Sequence, residues 1–460
     1  MGIWGTLGTH ALLKTVDYSI MAATNAKVKR MDEETRTQIR EFAEQANIQN
    51  RNLIVADTFA NQSMLLPDNG ILLLSAPNDS IRLAVSDPAE PVQNVVVTGS
   101  NIMARNHSLI SVISDASARN IPIVLLHCSN HDIVREVSSN LPSNKSMIYN
   151  SKALSYNPFK GLDLSSICQL IYSSIPTTYG VKSIGRDFIR VMVNIQLLQG
   201  NIVDFQKLLN CPFNDLSASI DRKEREGFIS KTDADDLKAD LFASQSESRV
   251  IAHYFQDLAD QINHLSDCTT RNAPSASISE GIQNRQAILI DIGVNTNTLL
   301  LDLIINQLRI LFSNGYKFMI ILDNVNLNSN KDLLPMTIHN SNCRFVLSYD
   351  DVYSALNSDE NTFTSLLGSV QKAVVFNHPS IPSCSQWSKY LGEYDKQEPE
   401  YTHTQNLQGG AMMGQSSGNS MRIAKKREPR VQPEMINHLR GNEACIYDSS
   451  TQTVLFANIL

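Results

Sequence analysis

The feature that most constrains this chain is a set of short apolar runs that do not alternate with polar residues. They include Val95-Val96-Val97, Ile121 to Leu126, Ala287 to Ile290, Phe318 to Leu322 and Phe345-Val346-Leu347. A strand with one face in water alternates apolar and polar side chains, so a run that stays apolar predicts a strand buried on both faces. Such strands belong to the middle of a parallel sheet covered by helices. Val95 to Thr98, Gly99 to Asn106, His107 to Asn120 and Ile121 to Leu126 read as strand, loop, helix and strand, one βαβ unit. The pattern resumes at Ala287 to Asp291, with a helix over Thr298 to Asn314. Strands follow over Lys317 to Asp323, Arg344 to Ser348 and Ala373 to Asn377, with a short helix near Asp351 to Leu356.

Between these halves the texture is helical. Leu164 to Ser174, Arg186 to Gln199, Ile202 to Leu209, Ser217 to Glu226 and Asp233 to Asp267 carry helical periods, and Arg186 to Ile195 is apolar enough for a central helix. Cys268 to Gln283, rich in Ser, Thr, Asn and Ala, reads as a linker. The expected fold class is α/β, a mainly parallel sheet interrupted by an inserted all-α domain. The expected divisions are a helical lead-in over 1–50, the first part of the sheet domain over 51–161, the insertion and linker over 162–283, and the second part over 284–460. Residues 1–24 are weakly apolar and read as a packed N-terminal helix. Strands are expected at Asn52 to Ala56, Ile71 to Ser75 and Ile81 to Val85. Residues 395–421, polar and glycine-containing, read as a flexible loop, and Pro433 to Leu460 as a compact end with a hairpin around Asp448-Ser449-Ser450.

Composition removes several function classes. Lys plus Arg is 39 and Asp plus Glu is 46, a formal net charge of −7, which argues against a charge-driven nucleic-acid coat. The seven cysteines are dispersed, with no CxxC pair and no Cys/His cluster, so no metal site is expected and a reducing compartment is the default. No apolar stretch approaches the ~20 residues of a membrane-spanning helix. Lys425-Lys426-Arg427 is the densest basic patch; it reads as a solvated loop, with DNA phosphate contact as the functional alternative. His107 lies near an expected helix start, and His127-Cys128 ends a strand, where adjacent side chains point to opposite faces.

The first strand-to-helix turn of a parallel sheet is where phosphate is commonly bound. Gly99-Ser100-Asn101-Ile102-Met103-Ala104-Arg105-Asn106 has the length of the GxxxxGK[ST] loop and follows an apolar strand. Only Gly99 matches. Ala104 stands at the second glycine, Arg105 at the lysine and Asn106 at the hydroxyl that ligates magnesium. The second half of such a site is an apolar strand ending in two acids, one for the metal and one for the attacking water. Ile320-Ile321-Leu322-Asp323-Asn324 keeps the first and replaces the second by an amide that accepts no proton.

These half-sites, the helical insertion between them and the C-terminal end resemble the coupling proteins of type IV secretion and conjugation, RecA-like motors that feed DNA or protein to a secretion channel. Val95 to Asn106 stands in place of the phosphate loop, Ser155-Tyr156-Asn157-Pro158-Phe159 resembles the Asn-Pro segment before the family's all-α domain, and Ile288 to Leu308 with Phe318 to Asn324 resembles the stretch ending in the second acidic motif. Trp387 to Gly392, Arg427 to Ile436 and Gly441 to Tyr447 resemble the closing segment. The resemblance covers about residues 90–460 and places Ser348, or its neighbour Tyr349, at the family's sensor glutamine. It implies a RecA-like fold, ATP and Mg²⁺ as the cofactors to test, and secretion or conjugation proteins as partners, with DNA and an active coupling ATPase among them. It further implies an oligomer, and a cytoplasmic location reached at the inner face of the membrane through partners. The altered loop, acid and sensor imply a pseudo-ATPase that recruits substrate or assembles with an active motor, with no catalytic residue of its own. The alternatives are a divergent, active DNA-dependent ATPase whose ring neighbour supplies missing groups, and an interaction module that kept only the fold.

Overall fold

Apolar runs become neighbours across the centre of one sheet. The computed structural model describes residues 30, 32–56, 59, 74–76, 94–149, 155–198, 203, 208–209, 211–263, 275–293, 298–327, 343–407 and 415–459. The chain starts with helix α1 (residues 32–51), then β1 (Leu53–Ala56), β2 (Leu74–Ala76) and β3 (Val95–Thr98). Next come α2 (Ile102–Ala118), β4 (Ile123–His127), α3 (His131–Asn140), β5 (Ser146–Ile148) and β6 (Ser155–Tyr156). The helical stretch holds α4 (Leu164–Ser174), α5 (Gly185–Leu198), α6 (Phe213–Arg225), α7 (Lys231–Ala243) and α8 (Gln245–Asn263). It is followed by β7 (Ser275–Ala276), α9 (Ile278–Gln283), β8 (Ala287–Asp291), α10 (Thr298–Ser313), β9 (Phe318–Asp323) and β10 (Cys343–Tyr349). Then come α11 (Val352–Ala355), α12 (Glu360–Leu367), β11 (Lys372–Val375) and α13 (Ile381–Leu391). The chain closes with β12 (Glu393–Leu407), β13 (Gln415–Pro429), α14 (Pro433–Asn437), β14 (Glu443–Asp448) and β15 (Thr453–Asn458).

Among the described residues one sheet has eleven strands in the order β2-β1-β15-β14-β11-β3-β10-β9-β4-β8-β5. Neighbours run parallel except where β14 meets β11 and β15. The expected α/β class, mainly parallel with helical cover, is what the chain adopts. Successive side chains of a strand point to opposite faces, and β9 shows the consequence. Phe318, Ile320 and Leu322 enter one core, while Met319 and Ile321 enter the other beneath α2 and α3. Burial on both faces is why these runs show no polar alternation.

The helical stretch shares the first of those cores through α10. Leu300, Ile304, Leu308 and Leu311 have no exposed surface, and the helix packs on α4 and α8. Polar ties accompany the apolar ones. Gln307 donates through Nε2 to the Pro158 carbonyl at 2.8 Å and accepts at Oε1 from the Tyr156 hydroxyl at 2.7 Å.

Four expectations are corrected. Residues 395–421 are mostly a ribbon: β12 and β13 pair without interruption from Glu393↔Pro429 to Leu407↔Gln415. Its strands are polar along much of their length, so no apolar alternation marked them. The expected helix over 233–267 is two, broken at buried Ser244, whose hydroxyl turns back to the Asp240 carbonyl at 2.6 Å. The expected linker before residue 284 holds β7 and α9, the latter closed by a capping box of Ser277 and Glu280. The loop expected up to Asn106 is shorter, because α2 starts at Ile102. The expected strand at 81–85, the expected packed helix over 1–24 and most of the expected helix at 202–209 fall outside the described residues.

Removing buried methylenes costs transfer free energy plus a cavity. Ile304→Ala is expected to lower stability by about 2–5 kcal/mol, read as a shift of the urea midpoint with an unchanged slope.

Candidate functional site

The C-terminal edge of the central strands gathers most of the residues singled out from the sequence. β3 lies between β11 and β10, and its last turn must leave the sheet at once. Gly99 makes that turn at φ +138°, donating its N–H to the Tyr349 carbonyl at 3.1 Å. A Cβ there would sit 2.5 Å from the Phe376 Cβ and 2.9 Å from its carbonyl carbon. The glycine is thus required by the approach of β3 to the end of β11 and by its left-handed φ.

Asn101 then starts α2. Its Oδ1 accepts from the Met103 and Ala104 amides at 3.1 and 3.2 Å, and its carboxamide donates to the Gly441 carbonyl at 2.7 Å. The Ser100 amide donates to the Asn377 carbonyl at 2.9 Å, and Arg105 N–H to the Asn101 carbonyl at 3.1 Å. A phosphate loop leaves such amides pointing at the ligand; here the protein's own oxygens accept them. Ala104, Arg105 and Asn106 are therefore helical rather than in the loop. Asn101 is a strong N-cap, and Ala104 lies fully buried in the core under α2.

Arg105 is fully buried and crosses to the neighbouring strand ends. Its Nη1 donates to Asn324 Oδ1 at 3.4 Å and its Nη2 forms an ion pair with Asp350. Asn324, at φ +54°, gives its amide N–H to the Ser348 carbonyl at 2.8 Å, and its Oδ1 also accepts from the Asp350 N–H at 3.1 Å. Beside it Asp323 is 1 % exposed. One carboxylate oxygen accepts from the Ser348 hydroxyl at 2.7 Å, the other from Asn130 Nδ2 at 2.6 Å. Asn130 also donates to Asn106 Oδ1 at 2.9 Å, and its own Oδ1 accepts from the Ile133 amide at 3.3 Å, capping α3.

The fold brings Gly99, Ala104, Arg105, Asn106, Asp323, Asn324 and Ser348 to one edge. Asn130 stands between the Asn106 side chain and one oxygen of Asp323, and Ser348 takes the other. These residues do not fit a nucleotide–Mg²⁺ cradle. Asn130 and Asp350 were missed in the sequence. Asn130 left a signal, an Asn between a strand end and His131-Asp132, which is N-cap chemistry. Asp350 left none, because its partner is 245 positions away.

Neighbouring titratable groups are held neutral. His127 Nδ1 accepts from the Asn130 amide at 3.2 Å, and burial lowers its pKa against the pull of Asp291 and Asp323. Burial likewise lowers His378, whose Nδ1–H meets the Phe376 carbonyl at 2.9 Å. Burial, with Asp323 and Asp291 nearby, raises the Cys128 thiol to about 12, so it is no nucleophile at neutral pH. Among the described residues no group of three His, Cys, Asp or Glu could hold a metal ion. Lys425, Lys426 and Arg427 lie apart from this edge, on β13, with Lys426 3.2 Å from Glu428 and Arg427 3.9 Å from Asp395.

Two outcomes follow. Asp323→Ala leaves the Ser348 hydroxyl without its acceptor and removes one of the two that Asn130 Nδ2 uses, and is expected to cost about 1–3 kcal/mol by denaturant unfolding. For His127 and His378 the folded pKa lies below the unfolded ~6.5, so below that pH the unfolded state binds more protons. Stability should fall as pH drops from ~6.5 toward the lowered folded values. A pH series of thermal melts should show this, with a flatter profile for His378→Gln.

No protein-family model matches the chain, and no curated protein matches it by sequence. Solved structures do. The bacterial conjugative coupling protein TrwBdeltaN70, unbound, aligns with a TM-score of 0.52 at 15 % identity, over 80 % of this chain and 85 % of that one. The plasmid coupling protein TrwB in complex with the non-hydrolysable GTP analogue GDPNP aligns at 0.50 with the same identity and coverage. TrwB in complex with ADP and Mg²⁺ aligns at 0.50 and 14 % identity, over 80 % of this chain and 84 % of that one. The chain has the RecA-like fold of a conjugative coupling protein.

Proposed function

We propose that this protein is a coupling-protein-like component of a type IV secretion or conjugative transfer system that has given up nucleotide hydrolysis. It recruits substrate or assembles with an active motor, reaching the inner face of the membrane through its partners. The fold and the order of landmarks support the secretion context. The observation that carries the loss of hydrolysis is the buried Arg105, paired with Asn324 and Asp350 where a phosphate-binding lysine would otherwise reach its ligand. Asp323 supports it, since both its oxygens already accept hydrogen bonds. Asn324 supports it too, because an amide cannot take the proton of an attacking water.

The reading is tested with purified protein in a thermal melt across millimolar ATP–Mg²⁺. A ligand that binds only the folded state adds RT ln(1 + [L]/Kd), about 2.7 kcal/mol at 100 Kd. No shift and no turnover are expected, with or without DNA. Saturable, DNA-stimulated turnover lost in Asp323→Ala would instead establish the active-ATPase alternative.

A further inference from the structure

The β12–β13 ribbon forms a sheet of its own, and helix α1 lies along its β12 edge. In an antiparallel ladder every second pair turns its N–H and C=O groups away from the partner strand. Gln397↔Lys425 is such a pair, because the Gln397 N–H donates to Asn47 Oδ1 at 2.6 Å and its carbonyl accepts from Asn47 Nδ2 at 3.0 Å. The Asn47 carboxamide thus takes the place of a neighbouring strand. Nearly one turn on, Asn50 Nδ2 donates to the Asp395 carbonyl at 3.1 Å. Toward the other end of the helix the Tyr401 hydroxyl donates to the Arg36 carbonyl at 3.4 Å, and the Arg36 guanidinium lies 5.2 Å from the Tyr401 ring centre.

These ties are polar, and little apolar surface backs them. The buried side chains of α1 are Ala43, Asn47 and Arg51, which share one stripe of the helix. Ile39, Ala46 and Ile48 are partly covered, and Phe42 is 61 % exposed. Helix α10 is the contrast, with Leu300, Ile304, Leu308 and Leu311 all sealed in the core. Apolar burial is the main term that fastens a helix to its domain, so the two are fastened unequally. The C-terminal end of α1 is the firm one. Arg51 is 3 % exposed, and its Nε donates to the Arg430 carbonyl at 2.8 Å. Asn52 then turns the chain into β1 at φ +45°.

We propose that α1 is a releasable strap over the edge of β12. It opens about the Arg51–Asn52 turn while the sheet domain stays folded, and the Asn47 carboxamide is its latch. Closed, the strap occupies the outward N–H and C=O of Gln397 and keeps this edge from pairing with another strand. Open, it frees both groups together with the Asp395 carbonyl. Most helical stability comes from tertiary packing, so an undocked α1 also loses its own hydrogen bonds. The proposal does not rest on the nucleotide reading, and its test involves no nucleotide.

The test is native-state hydrogen exchange on the full chain, read by mass spectrometry with fragmentation that resolves α1, α10 and the Gln397 amide. A segment that opens by itself has its own, lower protection. The amides around Asn47 and the Gln397 amide are expected to exchange together, at least about a hundredfold faster than those of α10. Two conservative variants separate the strap from the domain. Ile304→Val weakens the core in the closed and open states alike. It should speed α10 exchange about threefold to tenfold and leave α1 unchanged. Asn47→Leu removes both latch bonds and should speed exchange of the α1 amides about tenfold. Protection of α1 equal to that of α10, an equal rise for α1 and α10 in Ile304→Val, or unchanged α1 exchange in Asn47→Leu would each overturn the proposal.

Discussion

A carboxylate with almost no exposed surface survives only if its charge is met by donors, and Asp323 is met by two neutral ones. Much of the strand-end architecture follows from that requirement. Ser348 brings β10 to β9, and Asn130 ties the start of α3 to β9 while reaching Asn106 on α2. Two strand ends and two helix starts are thus held by one hydrogen-bonded network. A satisfied member of such a network stiffens its surroundings and an orphaned one is costly; here both oxygens of Asp323 are satisfied, while the buried Arg105 Nε and His127 Nε2 meet no partner among the described residues. Arg105 completes the arrangement by filling the adjacent space with a guanidinium anchored to Asn324 and Asp350.

At the same edge, the turn after β3 and the start of α2 are held by the chain's own groups. The turn after β3 needs a glycine for steric reasons alone, since a Cβ at Gly99 would collide with Phe376. Helix α2 needs a cap, which Asn101 supplies from its own side chain. Neither requirement refers to a ligand. Once side chains satisfy the amides and the acid, the sheet keeps its order and the two cores their packing.

The central strands were legible because burial on both faces leaves a plain apolar signature, and their expected ends differ from the observed ones by a residue or two. The β12–β13 ribbon was not legible, because its pairing is mostly a backbone matter, with charged and polar side chains on both strands. The departures of Gly99 to Asn106 from the GxxxxGK[ST] pattern were visible residue by residue. What replaced it was not: Arg105 meets Asp350 and Asn130 meets Asp323 over separations of 245 and 193 positions. No local pattern encodes such pairs.

The sequence by itself determined the class of fold, the helical stretch between two halves of a sheet, and the absence of a phosphate-loop lysine and a second acid. These are properties of residue type and period, and they do not depend on which strand lies beside which. Tertiary structure alone decided that α2 starts at Ile102 inside the segment expected to be a loop, that Asp323 is sealed by Asn130 and Ser348, and that Asn47 covers the edge of β12. Each of these turns on groups far apart in the chain coming within hydrogen-bonding distance, and only the folded arrangement of strands and helices sets that distance.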